Sequence, residues 1–373
     1  MERSLQTARE YDREALLLDV ALDVSLAYLD VLRAKALEQI EFENVKLTRS
    51  NLEMARAREQ LGQSGPAEVL RWEAQIATNR KDQILASAQR RAAEVVLNQL
   101  LNRPLEEPFD TIEGDMSTPE GPASVLPYVD YVGNPQLFGI FRGFMVAEGL
   151  GSAPELKAFD EAIAAQERLH TATRRAFWIP DLSLRAGTTT DVATGGAGSS
   201  GPGFALPVEL PESNDTHWNV GINLTYPLFS GLDRIAARAV ASEKLAQLRT
   251  ERAMNRNLVE QRIRTSLELA GGSYAAISQS EKAARAAGET LRLVTDAYAR
   301  GAVSILDLLD AQNSALVTRT VEATAVYGFM ADLMRVHRAV GRFDLLSTAD
   351  EMEVFLARLD AYFKQAGIDV RSN

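Results

Sequence analysis

The chain of 373 residues contains no cysteine, so disulfides, thiolate metal sites and thiol nucleophiles are all excluded. Histidine is almost as scarce: His170, His217 and His337 are the only three, and their dispersal suggests no cluster. With neither residue type gathered, no metal or cofactor site is expected, and an enzyme is not expected either. No run of about 18 apolar residues occurs, so no transmembrane helix is expected. Basic residues are in deficit, 40 against 51 acidic, for a formal charge of −11 and a pI near 5.0, which argues against a nucleic-acid binder. The N-terminal twenty residues lack an apolar core after a basic start, so no signal peptide is expected in them. Hydrophobic residues at 46% and charged residues at 24% exclude wholesale disorder.

What is present is organised as two helix-rich blocks, at about 4–102 and 232–341, with no proline but Pro66. In the first, Leu17, Val20, Val24, Ala27, Val31 and Ala34 alternate steps of three and four. In the second, Ile277, Ser280, Ala284, Ala287, Leu291, Val294 and Tyr298 do the same. Past a turn, Ile305, Leu309, Leu316, Ala323, Val326, Met330 and Leu333 keep the register, with Gln312 and Arg319 at intervening seam positions. Such a period predicts coiled-coil packing, and the many Ala and Ser seam positions predict close approach. Each block is broken once, at Gly62-Gln63-Ser64-Gly65-Pro66 and at Gly301-Ala302-Val303-Ser304. A glycine closes one helix there, and Pro or Ser opens the next. The offset is 239 (301 less 62), and it also relates Glu68 to Asp307 and Asn102 to Gly341. Two antiparallel helical hairpins of equal length therefore occur in tandem.

Between the blocks the period changes to two. Trp218, Val220, Ile222, Leu224, Tyr226 and Leu228 alternate with Asn219, Gly221, Asn223, Thr225 and Pro227; Leu182, Leu184 and Ala186 alternate with Asp181, Ser183 and Arg185. Aromatics gather at the strand ends, as interfacial girdles do, and a long Gly/Ser/Thr/Pro loop joins the two strands. Two readings fit: a membrane-barrel hairpin, or a soluble ribbon, which would be marginal alone in water. Residues 104–153 have little helical period and read as a linker, 154–176 as an amphipathic helix, and 343–373 as a tail. Gly196-Ala197-Gly198-Ser199-Ser200-Gly201 fits a phosphate-loop spacing, but prolines follow where a helix would have to begin.

Several local motifs resemble the TolC-like outer membrane efflux protein family: Tyr226-Pro227-Leu228-Phe229-Ser230-Gly231 before a long helix, Pro154-Glu155-Leu156 opening a second repeat, Ala27-Tyr28-Leu29-Asp30-Val31-Leu32 in the first repeat, and Tyr298-Ala299-Arg300-Gly301 through Asp307-Leu308-Leu309-Asp310-Ala311-Gln312 at a tip. The resemblance implies a mainly α fold, tandem long coiled-coil hairpins forming part of a trimeric α-helical barrel, with one β-hairpin contributing to an outer-membrane β-barrel. It divides the chain into 1–103 (first helical hairpin), 104–153 (linker or equatorial segment), 154–176 (lead-in helix), 177–229 (membrane β-hairpin with a long external loop), 230–342 (second helical hairpin) and 343–373 (tail). The family has a further β-hairpin, whose place by the 239 offset precedes Met1, so the first repeat is expected to be N-terminally incomplete.

The implied function is an outer-membrane channel-tunnel subunit of tripartite efflux or type I secretion. It would be a passive conduit spanning the periplasm as a homotrimer, with a periplasmic adaptor, an inner-membrane pump and outer-membrane lipid as partners and no nucleic acid. Alternatives are a periplasmic adaptor or a soluble coiled-coil scaffold. By resemblance Asp307 and Asp310 form the pore constriction, three residues apart on one helical face; the bland reading is acids complementing a helix N-terminus. Tyr298 and Glu68 are implied as a hydrogen-bonded tip closure, with Tyr298 as a plain seam residue the alternative. The family's tip arginine is replaced by Val303. Gly62, Ser64, Gly301 and Ser304 are implied as tip turns that dock an adaptor. Trp178, Trp218, Tyr226 and Phe229 are the membrane girdle.

Overall fold

The computed structural model describes residues 2–108, 111, 131, 133–190, 216–226, 231–343 and 349–367. Its elements are α1 (Glu2–Gln60), α2 (Pro66–Leu100), α3 (Pro135–Ser152), α4 (Pro154–Arg175), β1 (Asp181–Thr190), β2 (Thr216–Thr225), α5 (Asp233–Ala299), α6 (Ile305–Val340) and α7 (Ala349–Gln365). They fall into two units. One takes residues 2–6 with 160–251, and the other takes 7–159 with 252–367.

The larger unit holds both helical hairpins. Four helix ends in it share one chemistry. Gly62 and Gly301 adopt left-handed φ of 69° and 74°, which costs glycine nothing. Each then closes a double cap: Gly62 N to Glu59 O and Gln63 N to Arg58 O, then Gly301 N to Tyr298 O and Ala302 N to Ala297 O, all 2.9 Å. Asn102 (φ 53°) and Gly341 (φ 78°) repeat it at the far ends of α2 and α6. The tandem pattern read from the sequence is thus a pattern of helix terminators.

The burial stripe of α1 departs from the expected one. Leu17 and Val20 are exposed, while Leu18, Leu22, Leu26, Leu29 and Leu32 pack with Met330, Leu333 and Met334 of α6. Ala27 and Val31 pack instead on Leu97 of α2. A helix buried on two sides carries two stripes, and a single 3.5-residue period follows neither for long. Gln312, placed on the seam, is buried and polar. Its Nε2 donates to Asn44 Oδ1 (2.8 Å) and Thr48 Oγ1 (2.5 Å), and its Oε1 accepts from Asn51 Nδ2 (3.1 Å). Asn79 Nδ2 extends the ladder to Thr48 at 2.7 Å. Arg319 lies outside this ladder, in a surface pair with Glu43 (2.8 Å).

Part of the expected linker is helical: α3 fills Pro135–Ser152. Four glycines lower its helix propensity and its apolar residues show no single stripe, so the sequence hides it. Packing overrides propensity here. Phe141, Phe144 and Met145 join Ile263, Leu267, Val340, Phe355, Leu359 and Phe363 in one core, with Asn134 capping the helix onto Gln136 N at 3.0 Å. Gly149 is the contact point, because a Cβ there would press on the Ile263 side chain and stand 3.2 Å from Val340 Cα. The tail, too, folds onto this core through α7. Arg338, buried at 6% exposure, is held between Asp19 (2.5 Å) and Glu155 (2.8 Å), tying α6 to α1 and α4.

In the smaller unit, α4 and the start of α5 pack through Gln166 Nε2 to Ala241 O (3.0 Å) and Arg249 to Glu167 (2.7 Å), and carry an antiparallel β1–β2 pair. Gly149→Ala is expected to cost about 1–3 kcal/mol by overpacking. Gly151→Ala, where a Cβ meets nothing within 4 Å, is expected to be neutral or stabilising by up to about 1 kcal/mol. Thermal denaturation of the two variants checks the difference.

Candidate functional site

Two places concentrate unusual chemistry: the helix-turn tips of the larger unit and the strand pair of the smaller one. At the tips, Tyr298 is wholly buried among Leu52, Ala55, Trp72, Ile76 and Leu308, so the first hairpin supplies most of its surroundings. Its hydroxyl accepts from Trp72 Nε1 at 3.4 Å. Its ring carries the Arg58 guanidinium 4.5 Å from the centroid, and its carbonyl accepts from Arg58 Nη1 at 2.8 Å. Burial raises the phenol's pKa; Glu68 pushes the same way, while Trp72 and Arg58 oppose it. Glu68 Oε2 is buried and has no hydrogen-bond partner. The geometry therefore brings Tyr298 and Glu68 to one cluster, in which the hydroxyl accepts from Trp72 and Glu68 acts on the same phenol.

Arg58 and Trp72 were not singled out from the sequence. Both lie on hairpin one, and their common partner is 226 or more positions away. The available signal was Trp72 itself, a large aromatic one turn beyond Glu68 in a helix otherwise poor in aromatics.

Asp307 is the N3 residue of a capping box. Its Oδ2 accepts from Ser304 N (2.8 Å) and Ser304 Oγ (2.7 Å), and its own N–H donates to Ser304 Oγ (3.3 Å). The Ser304 side chain and backbone hold its pKa below the usual value. The cap is therefore present at neutral pH and is lost as pH falls through that depressed value. Asp310, one turn on, is exposed on α6. Ser64 does not repeat the role of Ser304: Gly65 is the N-cap of α2, with no side-chain bond, and Pro66 follows at N1.

The strand pair has every residue exposed. Its register puts Leu182 opposite Leu224, Leu184 opposite Ile222, Ala186 opposite Val220 and Thr188 opposite Trp218 on one face. The other face carries Asp181, Ser183, Arg185, Gly187 and Thr189 opposite Thr225, Asn223, Gly221, Asn219 and His217. One face suits lipid and the other water, which is the pattern of a barrel strand and leaves a soluble ribbon with an uncovered apolar side. Trp218 marks one end of the apolar face. Trp178, in the turn before β1, and Tyr226, whose Oη donates to Phe177 O at 3.1 Å, mark the other. Phe229 and the glycine-rich Gly196–Gly201 stretch lie outside the described residues. Among the described residues, no cluster of His, Asp and Glu is arranged to hold a metal, and no helix is long and apolar enough to cross a membrane.

Comparison with known proteins agrees with this geometry. A family model described as outer membrane efflux protein matches residues 147–342. The fold is similar to that of the outer-membrane channel OprN, with a TM-score of 0.71 at 19% identity, over 92% of this chain and 70% of that one. It is also similar to the outer membrane protein VceC of Vibrio cholerae (TM-score 0.67, 18% identity, 91% and 74% covered). The CmeC outer membrane channel of Campylobacter jejuni gives a TM-score of 0.67 at 17% identity, over 97% and 71%. No curated protein matches the chain.

Arginine at Leu184 or Ile222 is expected to cost about 2–4 kcal/mol if placed near a bilayer midplane. Either variant should lower the fraction of protein recovered inserted in membranes, whereas Asn223→Arg should not. Equal recovery of all three would reject a lipid-facing strand pair.

Proposed function

The chain belongs to the outer membrane efflux protein family, and from that premise we propose that it is a subunit of a trimeric outer-membrane channel. Its strand pair contributes to a membrane barrel, and its helical hairpins contribute to a tunnel across the periplasm. The observation that carries this reading is the fully exposed strand pair, apolar on one face and polar on the other. A soluble scaffold leaves that apolar face without a purpose, and a periplasmic adaptor does not call for two equal helical hairpins. Conduction is passive, because the channel needs a wet, negatively lined duct rather than a reaction centre. A periplasmic adaptor engages the tip turns at Gly62, Ser64, Gly301 and Ser304 and links the channel to an inner-membrane pump, for tripartite efflux or type I secretion.

In the threefold assembly Asp307 and Asp310 form stacked acidic rings that favour cations. The capping box fixes one ring's carboxylates, and Asp310 leaves the other free. Closure is held within each subunit by the cluster around Tyr298 and Glu68, with Arg58 supplying the cation that Val303 does not. Opening moves the second hairpin's tip away from the first, which breaks the Arg58–Tyr298 bond and uncovers the ring beneath it.

Single-channel conductance in planar bilayers tests both assignments. Asp307→Ala with Asp310→Ala should abolish cation preference and block by divalent cations; unchanged ion selectivity would sink the ring. Arg58→Ala removes a charge-assisted bond worth about 1.5–3 kcal/mol. It should therefore raise the open probability roughly tenfold or more. No change in that variant would reject the closure role.

A further inference from the structure

The base of the strand pair, where both strands continue into helices, is basic in a chain whose net charge is −11. Residues 168–181 and 231–238 hold five arginines against Asp181 and Asp233. Arg174 and Arg175 end α4, and Arg234 and Arg238 lie in the first two turns of α5, one helical turn apart on one face. Glu167, Arg168, Thr171 and Arg175 line one side of an open groove of about 720 Å³, with Ile179, Pro180 and Asp181 on its wall.

Neighbouring side chains neutralise little of this. Glu167 is taken by Arg249 at 2.7 Å, and Arg168 donates to Ser4 Oγ at 2.8 Å. Among the described residues, Arg174, Arg175 and Arg238 make no ion pair. Helix dipoles account for only half of the pattern. Arg174 and Arg175 complement a C-terminus, but Arg234 stands in the first turn of α5 beside Asp233, where a cation is disfavoured. An anion from outside would be stabilised there. The apolar and aromatic surroundings indicate what it is: Trp178 is 84% exposed, Leu232 74% and Ile235 58%, and the Arg234 guanidinium lies 5.4 Å from the Tyr226 ring centroid. Interleaved arginines and exposed aromatics at the edge of an apolar strand face form the interface of a membrane protein with lipid headgroups.

We infer that this arginine collar docks the phosphate headgroups of anionic phospholipids in the periplasm-facing leaflet, with the groove beside Arg168 and Arg175 receiving one headgroup. The inference rests on the outer-membrane channel reading above. Arginine suits the role because its planar fork engages two phosphate oxygens while its stem and guanidinium face stay compatible with aromatic rings.

The test is lipid selectivity of the full chain reconstituted into phosphatidylcholine vesicles doped with spin-labelled phosphatidylglycerol or spin-labelled phosphatidylcholine. Electron paramagnetic resonance then reads the lipid fraction immobilised at the protein. The wild type should prefer phosphatidylglycerol about fivefold or more, on the scale of one arginine near an anionic surface. The combined variant Arg174→Gln, Arg175→Gln, Arg238→Gln should fall to parity, and the corresponding Lys variant should keep most of the preference. A wild type that immobilises both lipids equally overturns the collar and leaves the channel reading intact. A preference that survives the Gln variant overturns it as well. If inorganic phosphate abolishes the preference while chloride of equal ionic strength does not, the site belongs to free phosphate and the lipid assignment fails. No immobilised lipid of either kind would overturn both readings together.

Discussion

The backbone carbonyl of Tyr298 accepts two hydrogen bonds, and the tip of the molecule depends on both. One comes from Gly301 N at 2.9 Å and ends α5; the other comes from Arg58 Nη1 at 2.8 Å and joins the second hairpin to the first. A helix C-terminus leaves carbonyls without intrahelical partners, and it carries the negative end of the dipole. Arg58 answers both needs while lying over the ring of the same residue. Glycine is favoured at 301 by its left-handed φ of 74°, and Arg58 Nη2 lies close by, where a Cβ would meet it at an ordinary contact distance of 3.8 Å.

Below the tip, the helices face a different problem. An alanine-rich seam allows close approach but packs almost equally well at several axial offsets. The ladder of Asn44, Thr48, Asn51, Asn79 and Gln312 removes that freedom, because a slip of one turn would leave buried amides without partners. Each orphaned group costs about 1–3 kcal/mol, which exceeds what one more alanine contact returns. Gln312 is the joint of this ladder, since it alone reaches from the second hairpin to the first. The Arg338–Asp19–Glu155 group does the same further along α6, and it gives the Pro154-Glu155-Leu156 motif a physical reason: Glu155 is the acceptor of a nearly buried arginine.

Features that rest on near neighbours in the chain were legible in the sequence. The glycine and asparagine terminators at 62, 102, 301 and 341, the Pro and Ser helix starts, and the two-residue period of Trp218 to Leu224 all concern adjacent turns or adjacent residues. The double offset made the hairpins legible as well. Helix α3 was not, because Gly139, Gly143, Gly149 and Gly151 speak against a helix locally and only the distant Ile263 and Val340 explain why at least Gly149 is small. The Tyr298 cluster was half legible: its tyrosine and glutamate follow from motif positions, while Arg58 and Trp72 enter through contacts between hairpins. The second burial stripe of α1 was lost for the same reason, since one periodic template cannot report two neighbours.

The two tips descend from one pattern, yet they are not chemically equivalent, and the N-cap residue decides how they differ. Ser304 and Gly65 occupy matching positions, as do Asp307 and Glu68. Ser304 offers a hydroxyl and a backbone N–H, so Asp307 folds back into a capping box and its carboxylate stays outside. Gly65 has no side-chain oxygen, and α2 opens with no side-chain cap. Glu68 is therefore not drawn into a box by a capping hydroxyl, and its carboxylate reaches the buried cluster around Tyr298. The other members follow the same logic. Trp72 corresponds to Ala311 and Arg58 to Ala297, so each bulky contributor on the first hairpin has a small counterpart on the second. Two turns of one pattern thus differ by one hydroxyl and two side-chain sizes, and these differences leave the Asp307 carboxylate outside while Glu68 joins the buried cluster.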